Sequence, residues 1–377
     1  MKRGGDSLRR PVAVLILGVL PLVLVVGALT HWQREGTLAW DFHHELYPQA
    51  EAMLRGDDPY PSGDHDPRTG TNWVWPPGAA ALVAPLTLLP ADAADVVVAL
   101  LGLACFAAAL LVVGVRDWRV FGAFALWPSV FIEPGLAHLT PFVCLVAAIA
   151  WRTRDSGLRP GLVVGIGVAV KLLVWPLVVW LAATGKKAAA LAGALVGAGS
   201  LVLVVPFTGL HTYVDALLRL GRAFDQDSYT VFGLVVQAGG PDAAGRALTL
   251  ALAVALLLGT WRYKSFALAI AAALAVSPIV WLDYFALAAV PLAVVRPRFS
   301  AVWLVPLATI GLEGAGLEIG DVLGTLRALA AFGFILALAF REERRAYGES
   351  RRFRAVDAVT TATTTMVPSA NHSTGSV

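Results

Sequence analysis

Residues 40–48 read W-D-F-H-H-E-L-Y-P, residues 55–61 R-G-D-D-P-Y-P and residues 73–78 W-V-W-P-P-G. The first two segments, and the start of the third, form a long polar interval, 31–75, in an otherwise apolar chain. The interval carries eight carboxylates (Glu35, Asp41, Glu45, Glu51, Asp57, Asp58, Asp64, Asp66) against three arginines (Arg34, Arg55, Arg68), a net charge of −5. Before it lie about 20 apolar residues, Pro11–Thr30, enough for one membrane crossing. Asp41 then falls at a lipid–water boundary, between Trp40 and Phe42, aromatics of the kind that collect there. Ionisable groups at that depth are functional candidates. Asp41 is therefore the first candidate for a reactive carboxylate; the competing reading is one solvated acid among eight.

The rest of the chain sets the class. Of 377 residues, 58% are hydrophobic, with a mean hydropathy of +0.71. Soluble domains are only about half apolar, and charge-free runs of about 18–25 residues recur. The fold class is an all-α polytopic membrane protein. Cys105 and Cys144 fall inside apolar runs and read as small buried hydrophobes, with no disulfide framework. The first apolar run is long for a signal peptide and lacks a small-residue cleavage site, so it reads as a retained span. Nothing in the charge pattern calls for a nucleic acid.

Positive residues orient the spans. Lys2, Arg3, Arg9 and Arg10 place the N-terminus in the cytoplasm. Basic clusters recur at Arg116/Arg119, Arg152/Arg154/Arg159, Lys186/Lys187, Arg262/Lys264, Arg296/Arg298 and Arg341–Arg345. Keeping each of them inside gives about twelve crossings in a plasma membrane, with both termini cytoplasmic. Residues 1–340 form a single membrane domain; 31–91 supply its large first outer loop and interfacial helices. Residues 341–377 read as a cytoplasmic tail, first basic, then Ser/Thr-rich and disordered. Pro76–Pro90 is too short to cross and reads as an interfacial helix. Two long runs are interrupted, one at Lys171 and Pro176, the other at S-P-I-V-W-L-D-Y (277–284). On this topology Asp41, Glu133, His138, Lys171, Asp225, Asp227 and Asp283 all fall on or near the outer side.

Several of these residues suit chemistry. A boundary carboxylate at Asp41 suits a general base. Lys171, alone in an apolar run, suits either a cation for a lipid phosphate or snorkelling to a headgroup. Glu133 and His138 flank an outer turn that Pro134-Gly135 already explains. Trp281, Asp283 and Tyr284 follow the Ser-Pro break, and such breaks are tolerated where they pack in protein or line a cavity. Adjacent His43 and His44 point about 100° apart on a helix, so no metal is expected there.

In order and spacing, G-D-D-P-Y, W-P-P, P-L-T-L-L-P, A-V-K-L-L-V-W-P, D-S-Y-T-V-F-G and S-P-I-V-W-L-D-Y resemble glycosyltransferase family 87, of the GT-C superfamily. The resemblance covers about Trp32 to Arg298. It implies a GT-C-like bundle of about 12 transmembrane helices. The enzyme would move mannose from polyprenyl-phosphate-mannose to a glycolipid or polysaccharide hydroxyl on the outer face, with inversion, as an alpha-1,2-mannosyltransferase. Asp41 matches the family's first-loop aspartate and Lys171 its lysine before proline. His138, Glu133, Tyr60, Trp75, Trp281, Asp283 and Tyr284 are then expected around donor and acceptor. No metal and no cofactor beyond the lipid-linked donor is implied; the partners are that donor, the glycan acceptor and membrane lipids. Two departures stand out. Trp75 replaces a frequent Tyr before Pro-Pro, and Gly135-Leu136-Ala137-His138 stands where Gly-Gln is common. Arabinofuranosyl or other polyprenyl-phosphate-sugar transfer, and a non-catalytic lipid or sugar transporter, are the alternatives.

Overall fold

The computed structural model describes residues 11–60, 74–207, 209–311 and 321–365, of which 348–365 are described by backbone alone. The N-terminal basic cluster, Asp64, Asp66, Arg68, the acidic turn at 313–320 and the last twelve residues of the Ser/Thr-rich end lie outside the described residues. No strand occurs among those described. In chain order the helices are α1 (Leu20–Glu35), α2 (Tyr47–Arg55), α3 (Pro77–Val83), α4 (Ala91–Val112), α5 (Trp118–Ala125), α6 (Pro128–Phe131), α7 (Glu133–Leu136), α8 (Thr140–Arg152) and α9 (Arg159–Val170). They continue with α10 (Pro176–Ala183), α11 (Lys187–Ser200), α12 (Leu210–Phe224), α13 (Val231–Gln237), α14 (Asp242–Tyr263), α15 (Phe266–Val276), α16 (Ala289–Val295) and α17 (Val322–Thr365).

Among the described residues five helices are long and apolar enough to cross a membrane: Pro11–Glu35, Ala91–Val112, Lys187–Val204, Asp242–Tyr263 and Val322–Tyr347. The sequence predicts about twelve crossings; the other apolar helices are shorter, at 10–17 residues. Four of these form two broken pairs, Arg159–Val170 with Leu172–Ala183 and Phe266–Val276 with Leu282–Val295. Leu15, Leu22, Val23 and Val26 on the first span are exposed, as are Leu248, Leu250 and Leu258 on α14. Water would penalise such surfaces and hydrocarbon does not. The chain is a polytopic membrane protein. Within Pro76–Pro90, α3 passes directly into a 3₁₀ turn at Ala84–Leu88, and Pro90 takes the N-cap position of α4. α17 runs to Thr365, past residue 341, where the sequence places the start of the tail.

Aromatic side chains fill the centre. Trp127, Trp180 and Trp303 are fully buried. The Trp127 indole N–H donates to the Trp303 carbonyl at 2.8 Å, and Phe285 stacks on Phe332 at 4.6 Å between ring centroids. Away from these rings, α9 and α11 meet through glycines spaced four apart on each helix, Gly161/Gly165 and Gly193/Gly197. A Cβ on Gly161 would lie 1.9 Å from the Ala189 carbonyl oxygen, and one on Gly165 2.6 Å from Val196 Cβ. Backbones can approach that closely only without side chains, and in lipid such packing replaces the hydrophobic effect as the force between helices. α3 docks on the end of α9 in the same way, with Gly78 against the Ala169 carbonyl.

Polar contacts divide between the two ends of the long helices. At one end Arg296 pairs with Glu342 (2.8 Å), Lys186 with Asp155 (2.9 Å), and Phe299 N–H donates to Asp117 (3.0 Å). Hydrogen bonds from Arg119, with help from the Phe299 N–H, hold the Asp117 carboxyl down at about 2. At the other end, α4 begins where His43 meets Asp95 (2.7 Å), and α17 where Thr325 donates to Gln237 (2.9 Å). A 22-residue helix such as α4 separates its ends by about 33 Å.

Gly161→Val is expected to destabilise the protein by about 1–3 kcal/mol through overpacking. Gly199→Ala, on α11 with nothing within 4 Å of its Cβ position, is expected to be neutral or stabilising by up to about 1 kcal/mol. Thermal unfolding in detergent checks both; equal losses in the two variants would contradict the α9–α11 contact.

Candidate active site

Four separated segments deliver charged side chains to one point. The first is the turn after α1. Gly36 ends that helix with φ 66°, and Ala39, also at positive φ, donates its N–H to the Pro134 carbonyl at 3.0 Å. Ala39, Phe42 and Leu46 are fully buried. Asp41 is thus anchored beside α7, with its side chain 18% exposed.

The second segment is α7 and the residues after it. Glu133 opens α7, and His138 lies between Ala137 (φ 58°) and Leu139 (φ 59°). Two non-glycine residues in the left-handed region on either side of one histidine are uncommon. Each costs about 1–3 kcal/mol, and surrounding contacts must hold it there. The result turns the His138 ring toward Asp41 and its carbonyl toward Lys171. The ring's Nε2 contacts Asp41 Oδ2, while Nδ1 lies 3.1 Å from Asp283 Oδ1.

The third and fourth segments are the helix breaks. α9 stops at Val170, and Lys171 takes an extended conformation (φ −147°, ψ 110°) before a 3₁₀ turn leads into Pro176. Lys171 Nζ donates to the His138 carbonyl (2.9 Å) and to Thr140 Oγ1 (3.0 Å), and lies 3.6 Å from the centre of the Tyr284 ring. α15 stops at Ser277-Pro278, and the extended link that follows has its Val280 carbonyl satisfied by the Tyr229 N–H at 2.9 Å. Asp283, fully buried, accepts from Thr140 Oγ1 at 2.5 Å. The continuous network is Asp41, His138, Asp283, Thr140, Lys171. Glu133, 3% exposed, lies within 4.8 Å of His138 and Asp283, and neither of its oxygens has a hydrogen-bond partner among the described residues. Burial first, and the Asp283 charge second, push the Glu133 carboxyl well above its usual range.

The aromatic candidates separate. The Trp75 ring lies 5.7 Å from Lys171 Nζ and 6.1 Å from the His138 ring, and its N–H donates to Glu45. Tyr284 lies 6.2 Å from the His138 ring. Tyr60 stands farther back: its hydroxyl donates to the Trp75 carbonyl at 2.8 Å, beside the bond from Gln49. Trp281 packs edge-on against Phe224, and Asp225 pairs with Arg246 at 3.3 Å; neither contact belongs to the charged network. Thr140 was not among the residues singled out from sequence. A threonine opening an apolar helix before Pro141 reads as an end signal, and only its contacts reveal a second role.

Among the described residues two groups bring three metal-ligand side chains within 4.8 Å of one another: His43 with Asp92 and Asp95, and Glu133 with His138 and Asp283. His43 and His44 do not act as a pair. His43 turns to Asp95, while His44 Nδ1 contacts the Trp40 carbonyl and its ring packs on Trp40 at 3.8 Å. An apolar cavity of about 230 Å³ opens next to Glu133, lined by Leu82, Leu86, Leu101, Pro134 and Phe142 among others.

A broken-helix membrane bundle with a carboxylate–histidine pair at its polar end invites comparison with known families. Residues 73–295 match the family model of glycosyltransferase family 87, well over half the chain. The chain belongs to glycosyltransferase family 87. No curated protein and no solved structure matches it. The matched stretch contains Glu133, His138, Thr140, Lys171 and Asp283. Asp41 precedes it and joins the family's segment through His138. The protein is a membrane glycosyltransferase.

Lys171→Met removes the ammonium from this buried network and is expected to cost about 3–5 kcal/mol. In a double-mutant cycle with Thr140→Val the coupling is expected at about 0.5–3 kcal/mol, read by unfolding in detergent. Additive effects would deny the Lys171–Thr140 contact.

Proposed function

We propose that the protein transfers a mannosyl residue from polyprenyl-phosphate-mannose to a glycolipid or polysaccharide hydroxyl, with inversion, forming an alpha-1,2 linkage. The observation that carries this reading is Asp41. It is a partly exposed carboxylate fixed at the rim of a buried charged network in a family 87 chain, with an apolar cavity alongside. The acceptor hydroxyl gives its proton to Asp41 as its oxygen attacks the anomeric carbon. The bond from that carbon to the phosphate oxygen breaks, and the polyprenyl phosphate leaves with its electron pair. Attack from the face opposite the phosphate inverts the centre. Lys171 offsets the phosphate charge at short range; its ammonium is held by His138 and Thr140, so it needs no reorganisation during the reaction. Trp75 and Tyr284, beside that cation, offer ring faces to the sugar. The cavity beside Glu133 suits the isoprenoid chain, since its walls are aliphatic and aromatic.

The site then belongs on the outer face of the plasma membrane, where a lipid carrier supplies the activated sugar. The division of polar contacts between two ends of the bundle supports that orientation, because each described basic cluster lies with the end opposite Asp41.

Removing the base is expected to lower transfer by about 10²–10⁴-fold. The measurement is transfer from labelled polyprenyl-phosphate-mannose in membranes, comparing wild type with Asp41→Asn. Equal rates would sink the base assignment, and activity only with another polyprenyl-phosphate sugar would move the donor. For orientation, Asp57→Cys introduces a thiol at an exposed position, while the native Cys144 is buried and Cys105 half-buried. Labelling of position 57 by an impermeant thiol reagent in intact cells is expected; protection there would put the loop in the cytoplasm.

A further inference from the structure

Two carboxylates and one imidazole converge at the buried end of the network: Glu133, Asp283 and His138. Buried carboxylates persist when they are paired or hold a metal. Glu133 has no donor at either oxygen among the described residues, yet it is almost completely buried and sits within 4.8 Å of ligand atoms of both His138 and Asp283.

We propose that Glu133, His138 and Asp283 form a binding site for one divalent first-row metal ion of the Mn²⁺ or Zn²⁺ class. The ligand atoms are a Glu133 oxygen, His138 Nδ1 and Asp283 Oδ1. His138 Nδ1 and Asp283 Oδ1 lie 3.1 Å apart, the separation of neighbouring ligands around an ion bound at about 2.0–2.2 Å. One imidazole with two carboxylates suits Zn²⁺ or Mn²⁺ rather than Ca²⁺, which takes oxygen ligands only.

The surroundings of the three ligands complete the case. Metal-bound histidine characteristically donates its other ring N–H to a carboxylate, and metal-bound carboxylates are themselves hydrogen-bonded. Here His138 Nε2 contacts Asp41, and the second oxygen of Asp283 is held by Thr140, which Lys171 orients in turn. An ion on Nδ1 would fix the His138 ring and leave Nε2 for Asp41. Asp41 would thus be oriented by the ion through His138, with no metal contact of its own.

The test uses the full-length chain in detergent, stripped with a chelator and equilibrated separately with Zn²⁺ or Mn²⁺. Bound ion is counted by elemental mass spectrometry, with electron paramagnetic resonance for the Mn²⁺ arm. Wild type is expected to hold about one ion per chain. Glu133→Gln should weaken binding more than about tenfold, and Thr140→Val, which only supports Asp283, about ten- to a hundredfold. His43→Ala should keep the ion. Chelated Glu133→Gln and His43→Ala should melt as chelated wild type does, which separates loss of the ion from loss of the fold. The proposal is overturned if wild type binds neither ion, if Glu133→Gln binds as wild type does, or if His43→Ala removes the ion, which would place it at the other cluster. Binding is read without any sugar donor, so its failure and that of the mannosyl reading are separate results.

Discussion

A buried charge must meet an opposite charge, and most of this chain's architecture follows from satisfying that condition once. Asp41, His138, Asp283 and Lys171 are spread over 243 positions of sequence, yet Asp41 and Asp283 both face the His138 ring and Lys171 reaches Asp283 through Thr140. Removing any member would leave its neighbour charged in a low-dielectric interior, a far larger loss than an exposed ion pair could produce. Thr140 carries the network across the step between the Asp283 carboxylate and the Lys171 ammonium.

Bringing those residues together requires helices that stop midway. An uninterrupted helix through Lys171 would keep its carbonyl and amide groups internally bonded and point the lysine at whatever face its phase dictated. The extended residue at 171 and the Ser277-Pro278 break release the backbone locally. Protein satisfies it again: His138 and Thr140 take up the Lys171 side chain, and Tyr229 bonds the Val280 carbonyl. Left-handed Ala137 and Leu139 play the same part on the histidine's segment. The glycine contacts between α9 and α11 set the depth at which Lys171 arrives, since α9 cannot shift without colliding with the Ala189 backbone. Strain at the site is thus held by tight packing a few turns away.

Much of the site was legible in sequence because its members are anomalies. A lysine in an apolar run, an aspartate after a Ser-Pro break and a carboxylate just past the first span each violate what lipid tolerates. Glu133 and His138 were visible for the same reason, though the Pro-Gly turn between them offered an innocent explanation. Thr140 violates nothing: a hydroxyl opening a helix is ordinary, so only proximity marks it. Tyr60 and Trp281 illustrate the converse. Aromatics near a boundary suit sugars and simple packing equally, and the structure places Tyr60 behind Trp75 and Trp281 against Phe224. Asp95 was passed over because one acid near the start of a span reads as a terminus.

Composition and the rhythm of apolar runs by themselves determined that this is an all-helical membrane protein, where its helices break, and which ionisable residues are out of place. Those are local properties, since hydropathy and the missing N–H of proline act within a few residues. The sequence could not decide how many runs cross as single long helices, because a short apolar segment satisfies lipid, a neighbouring helix or both. Nor could it say that His138 would contact Asp41 with one nitrogen and face Asp283 with the other. That depends on left-handed turns and glycine-mediated helix contacts far apart in the chain, and only the tertiary structure, by bringing four distant segments within hydrogen-bonding reach, decided it.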